Sequence, residues 1–147
     1  MNTIILGLDG SNGSQVAARW TTAAAGPDTR VVAAHVMQRS ELWTLGALQV
    51  DARPIVDELK ALLDGKWTEV LRKAGVPHTT RFLRGDPASE LLRLATRTNA
   101  LMLVIGTKSH RSVHDLVVGG TAHKIINRST VPVTLVPHPL PRSKVAR

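Results

Sequence analysis

A chain of 147 residues that is 43% hydrophobic has the size and apolar content of one domain, and with only 3% aromatic residues its core must be filled by Val, Leu, Ile and Ala. It has no cysteine, no apolar stretch of membrane-spanning length and no charged n-region at Met1-Asn2-Thr3; this excludes disulfides, thiolate metal sites and a transmembrane helix, and sets a soluble cytoplasmic protein as the expectation. The formal charge of +8 is uneven, with six Lys/Arg against eight Asp/Glu in residues 1–69 and thirteen against three in residues 70–147, so the second half favours an anionic partner or is simply a solubilising basic surface. No RNA-binding aromatic motif or zinc spacing accompanies the charge, and nucleic acid is not the expected partner.

Ile4-Ile5-Leu6-Gly7-Leu8 is a short apolar run that reads as a buried strand. It ends at Asp9-Gly10-Ser11-Asn12-Gly13-Ser14, a strand-to-helix turn rich in N-caps. The helix that follows places Val16, Ala17, Trp20, Ala23 and Ala24 on one stripe, and Gly26-Pro27 ends it. Asp9 is open to two uses. Its carboxylate can close an Asx turn on its own backbone, or accept from a ligand hydroxyl or amino group at the strand's carboxyl end.

Val31-Val32-Ala33-Ala34-His35-Val36 reads as the second strand, with His35 a hydrogen-bonded core histidine because nothing nearby completes a metal site. Residues 37–53 show no clean period and read as a long connection, with Trp43 and Leu45 covering a core edge or folding over a crevice. Pro54 opens a long helix whose apolar stripe is Ile55, Leu59, Leu62, Leu63, Trp67, Val70, Leu71 and Ala74; Gly75 and Pro77 end it. His78 to Leu83 alternate as an edge strand does. Asp86-Pro87 is an N-cap followed by Pro at the first helical position, and Ala88, Leu91, Leu92 and Ala95 then face the sheet.

Leu101 to Ile105 is the next apolar run, stopping at Gly106. A polar loop through Thr107, Lys108, Ser109, His110, Arg111 and Ser112 leads to Gly119-Gly120-Thr121, a helical pattern, and a last strand, Val131 to Val136. Glycines let backbone N–H groups approach a ligand closely, and a helix N-terminus adds unpaired donors and a positive dipole end, a combination suited to phosphate. The same glycines also serve as tight turns with no ligand. The tail, residues 138–147, is basic and Pro-containing.

Gly106, then Ser109, then nine residues, then Gly119-Gly120-Thr121 resembles the loop of the nucleotide-binding branch of the universal stress protein family, whose pattern is Gly-x2-Gly-x9-Gly-(Ser/Thr). Leu8-Asp9-Gly10-Ser11, Gly85-Asp86-Pro87 and Pro132-Val133 fall where that family has equivalents. Two positions depart. Ser109 replaces the second glycine, and Gly120 stands where a hydroxyl residue is expected, with Thr121 beside it. The first departure costs a positive-φ option and the second a hydroxyl.

The resemblance implies an α/β domain over residues 1–137: a five-stranded parallel open sheet, Rossmann-like, with helices on both faces and strand order 3-2-1-4-5. It implies an adenine nucleotide, ATP with Mg²⁺, contacted by Leu8, Asp9, Gly10, Val36, Gly106, Thr107, Ser109, Gly119, Gly120, Thr121 and Ala122. Lys108 or Arg111 would neutralise phosphate charge, and backbone atoms of Val36 would meet adenine. It also implies a homodimer through Val131 to Val136. The alternative is a dimeric interaction protein of the same family that binds no nucleotide. His110, His114 and His123 are spaced to offer a base for slow ATP hydrolysis, but no nucleophile-base-orienter set accompanies them.

Overall fold

The computed structural model describes residues 1–107 and 120–138. Five strands form one parallel sheet in the order β3-β2-β1-β4-β5. They are β1 (Asn2–Gly7), β2 (Thr29–Met37), β3 (His78–Arg84), β4 (Met102–Gly106) and β5 (Val133–Val136). The expected order holds, as does the placing of helices on both faces. Every residue from Val31 to Met37 is buried, which is what a continuous apolar run on a central parallel strand requires. Side chains alternate between two cores. Ile5, Val32, Ala34, Leu103 and Ile105 meet α5 (Pro87–Arg97) and α6 (Gly120–Arg128) on one face. Ile4, Leu6, Val31, Ala33 and Val104 meet α1 (Asn12–Ala24), α3 (Arg53–Asp64) and α4 (Glu69–Lys73) on the other.

Three helical expectations need correction. On α1 the buried face is Gly13, Ser14, Ala17, Ala18 and Thr21, whereas Trp20, Ala23 and Ala24 lie outside. The helix presents its smallest residues to the sheet so that its first turn can reach the end of β4, and the bulky Trp20 is left on the flank. The single helix expected from Pro54 to Ala74 is broken at Gly65, whose φ of −114° and ψ of −94° are not helical. A 3₁₀ turn (Lys66–Thr68) follows before α4. There the buried Thr68 hydroxyl donates to Leu63 O at 2.8 Å, a carbonyl left without a helical partner by the break. The supposed connection of residues 37–53 contains α2 (Arg39–Ala47), a helix with no buried residue. Its lack of an apolar stripe is why no period marks it.

The cap at α5 is as the sequence suggests. Asp86 accepts from Ser89 N–H at 3.0 Å and from the Ser89 hydroxyl at 2.8 Å. These bonds, helped by Lys124 at 3.6 Å, hold its carboxyl below the usual carboxylate value. A carboxyl whose folded pKa is depressed contributes stability above its unfolded pKa and loses it as pH falls through the folded value. Asp86→Ala should therefore lower stability by about 1 kcal/mol at neutral pH, with most of it retained by Asp86→Asn. The difference between the alanine variant and the unaltered chain in urea melts should shrink as the pH falls below the ordinary carboxylate range. No loss of stability in the alanine variant at neutral pH would refute the cap.

Candidate functional site

Strand order reverses between β1 and β4, and ligands in open parallel sheets bind outside the carboxyl ends at such a point. A crevice of about 330 Å³ opens there. Its rim is built by the turn after β1. Asp9 Oδ1 accepts from Ser11 N–H at 2.9 Å, and the Ser11 hydroxyl caps α1 by accepting from Ser14 N–H at 3.2 Å. The Ser14 hydroxyl donates to Ser11 O at 3.0 Å and accepts weakly from Asp9 N–H at 3.4 Å. The Asx turn thus forms through one carboxylate oxygen, yet Asp9 remains exposed on the crevice wall. Burial acts to raise its pKa, but the hydrogen bonds from Ser11 and Ser14 and the nearby His35 outweigh it, so the carboxyl sits below its ordinary value.

Apolar residues, Gly7, Ala34, Val36, Leu91 and Ile105, form the crevice floor, and Leu8 lines it from the end of β1. Thr121 and Ala122, in the first turn of α6, form the opposite wall. Gly106 and Thr107 close the side toward β4. A Cβ on Gly106 would collide with the Gly13 carbonyl, and one on Gly13 would collide with the Thr107 carbonyl, so this glycine pair exists to let α1 touch the end of β4. Thr107 N–H donates to Val136 O at 3.1 Å, and its hydroxyl accepts from His138 N–H at 2.9 Å. Its amide is therefore occupied by the sheet.

Not every expected residue lies on the crevice. Gly10 adopts φ +80° and an added Cβ would come within 2.5 Å of the Trp67 ring; it serves the turn and is not on the lining. Gly120 begins α6, off the lining. Among the described residues a Cβ on it would meet nothing. Lys108, Ser109, His110, Arg111, His114 and Gly119 lie outside the described residues. His123 is exposed, with its Nε2 3.0 Å from the Asn127 amide, and does not line the crevice.

The structure also brings in residues the sequence reading passed over: Ser11, Ser14, Gln38, Glu41 and Pro87 all line the crevice. Glu41 had a legible signal. Its Oε2 accepts from Gln38 N–H at 3.0 Å, the reach-back of a third-position glutamate to the cap residue. His35 is the buried, hydrogen-bonded histidine expected, with Nδ1 2.8 Å from Leu8 O and its ring packed edge-on to Trp67 at 5.3 Å and against Phe82 at 5.7 Å.

A model of the universal stress protein family matches residues 1–137. The chain belongs to that family. Universal stress protein MJ0531 of Methanocaldococcus jannaschii is 27% identical over 140 residues, 92% of this chain and 82% of that protein. Universal stress protein YxiE of Bacillus subtilis is 26% identical over 88 residues, 55% of this chain and 60% of the relative's length. Among solved structures, hypothetical protein MJ0577 superposes with a TM-score of 0.79 at 18% identity, covering 94% of this chain and 96% of that one. A universal stress protein in complex with cAMP gives 0.67 at 22% identity, over 92% and 96%. The Arabidopsis thaliana family protein At3g01520 with AMP bound gives 0.66 at 14% identity, over 99% and 98%. At these identities the structural likenesses establish the fold.

The glycine pair gives this universal stress protein a sharp stability test. Gly106→Ala should cost about 3 kcal/mol, the upper range for overpacking against rigid backbone, read as a drop in urea midpoint without nucleotide present. A neutral effect would show that α1 and β4 can separate freely.

Proposed function

We propose that this universal stress protein is a cytoplasmic regulatory module of a stress response that binds an adenine nucleotide, ATP with Mg²⁺. One arrangement carries the reading: the crevice at the β1–β4 switch sets the Asp9 carboxylate opposite the N-terminus of α6. A ribose hydroxyl can donate to Asp9, while the N–H groups of Thr121 and Ala122 and the Thr121 hydroxyl, all on the crevice lining, suit phosphate oxygens. Solved relatives carry cAMP and AMP.

Adenine fits the end of β2. The last bond between β1 and β2 is Leu8 N–H to Ala34 O at 2.8 Å. Along a parallel strand, groups facing one neighbour alternate, so the next pair facing β1 is the N–H and C=O of Val36. Leu8 O, the acceptor in line for that N–H, instead meets His35 Nδ1, and among the described residues it receives no bond from Val36 N–H. Val36 thus offers a donor and an acceptor side by side, the complement of adenine N1 and its 6-amino group.

Phosphate charge is less fully met. Among the described residues the crevice lining contains the carboxylates of Asp9 and Glu41 and no Lys or Arg. We assign charge neutralisation to Lys108 or Arg111 and to Mg²⁺ held chiefly by phosphate oxygens and water, since the described residues contain no cluster of three metal-ligating side chains. The same shortage of cations favours the second reading, a dimeric interaction protein that binds no nucleotide.

Calorimetry decides between them. Mg-ATP and AMP should saturate at roughly micromolar concentration, with GTP at least about tenfold weaker because guanine inverts the donor and acceptor that face Val36. No heat at millimolar nucleotide would select the non-binding reading. Gly120→Ser should tighten ATP about fivefold through one added hydroxyl bond, since among the described residues its Cβ has open space. Unchanged affinity would place the phosphates elsewhere.

We further propose a homodimer through the last strand. β5 is a sheet edge, shorter at its start than the expected Val131–Val136, with Val133, Thr134 and Leu135 only partly buried. Leu101 and Ile126 are exposed at 48% and 49%. An apolar edge with unpaired backbone groups favours pairing with its own copy about a two-fold axis. Sedimentation should give a dimer mass at micromolar concentration, and Val133→Lys with Leu135→Lys a monomer. A monomeric unaltered chain would end this proposal.

A further inference from the structure

A second cavity, of about 500 Å³, lies on the opposite face of the sheet from α5 and α6, beneath α2 and beside α3. Its inner wall is apolar: Met37, Leu45, Ile55 and Leu59. It meets the crevice at three shared residues, Asp9, His35 and Glu41. We propose that this cavity, which adjoins the crevice, is a site for a protonated primary amine on an apolar body.

The head group follows from what the three shared residues can do. His35 is nine-tenths buried, and its Nδ1 lies against a carbonyl oxygen, which can only accept; the ring proton is therefore on Nδ1. In the neutral ring that leaves Nε2 as a lone-pair acceptor with no protein partner among the described residues. Asp9 Oδ1 accepts from Ser11 N–H and Glu41 Oε2 from Gln38 N–H, and each carboxylate has a second oxygen. The three residues that carry these acceptors all line the one cavity, and two of them are carboxylates. Among the described residues no Lys or Arg lines it. A group that only accepts gains nothing here, and an anion is repelled. A donor with several N–H groups and a positive charge answers all three.

A metal ion would answer the charge as well, but the described residues include no group of three ligands close enough to hold one. An ammonium on a carbon chain spans a wider set of acceptors than a bare ion. The apolar wall supplies the other half of the match, since Leu45, Ile55 and Leu59 are only partly buried and would lose water to an alkyl or aryl group.

The test titrates the full chain by calorimetry at about pH 8, where an alkyl amine is charged. Three probes share one body: 2-phenylethylamine, 2-phenylethanol and 3-phenylpropionate. The amine should saturate and bind at least roughly tenfold more tightly than either other probe. Glu41→Gln should remove most of that preference, and Leu59→Phe, which narrows the apolar wall, should weaken the amine without changing AMP binding. Equal binding of amine and alcohol, or no saturation by about 10 mM amine, overturns the proposal. Full amine binding by both variants does so too. Because AMP is titrated separately, loss of the nucleotide reading would leave the amine result standing, and the reverse.

Discussion

The architecture depends on one backbone contact. Gly13, in the first turn of α1, and Gly106, at the end of β4, lie so close that neither tolerates a Cβ. Parallel strands β1 and β4 are neighbours although α1, β2, the α2–α4 segment, β3 and α5 intervene in the chain. The glycine contact fixes how the helix leaving β1 packs across the strand arriving late. With α1 seated there, the Asp9 turn is held above the strand ends and the crevice takes its width. The small face of α1, Gly13, Ser14, Ala17, Ala18 and Thr21, extends the same close approach down the sheet.

The electrostatics of the crevice are set by short-range bonds more than by net charge. The chain carries +8, yet the described lining presents two carboxylates. The positive side of the site comes from peptide dipoles at the start of α6, with no acidic residue in its first turn. Lys124, one turn further, is directed to Asp86. In the proposed nucleotide reading the basic excess of residues 70–147 acts on a diffusing anion at long range, while selection within the crevice is assigned to Asp9, Val36 and the α6 amides.

Much of this was legible in the sequence where a local rule coincides with the global packing. The four apolar runs, the alternating strand from His78 to Leu83, the Asp86-Pro87 cap and the buried His35 each follow from residue chemistry that tertiary structure leaves alone. The strand order was legible only through a resemblance carried by Asp9, Gly106 and Gly119-Gly120-Thr121. The misreadings have a common cause. The stripe on α1 was sought among large apolar residues, but the sheet demanded small ones, and Trp20 was displaced to the flank. Gly65 was passed over inside a good helical period because the period resumes after it: Trp67 and Leu71 are buried beyond the break as Leu63 is before it. α2 buries nothing, so hydrophobic periodicity could not reveal it, and with it went Glu41, which borders both cavities.

The glycines of the family motif then separate into different physical classes. Gly106 is required by packing: its missing side chain makes room for the Gly13 carbonyl, whatever the ligand. Gly120 answers to no such demand among the described residues, since space is open where its Cβ would stand. A motif treated as one phosphate cradle thus combines a position fixed by the fold with one free to vary with the ligand. Departure from the pattern at Gly120 accordingly leaves the sheet and α1 undisturbed and changes only the set of donors at the start of α6. A departure at Gly106 would force α1 off the end of β4 and move the Asp9 turn with it. In this chain the pattern departs at Gly120, where among the described residues space is open, and holds at Gly106, where a Cβ would meet the backbone of α1.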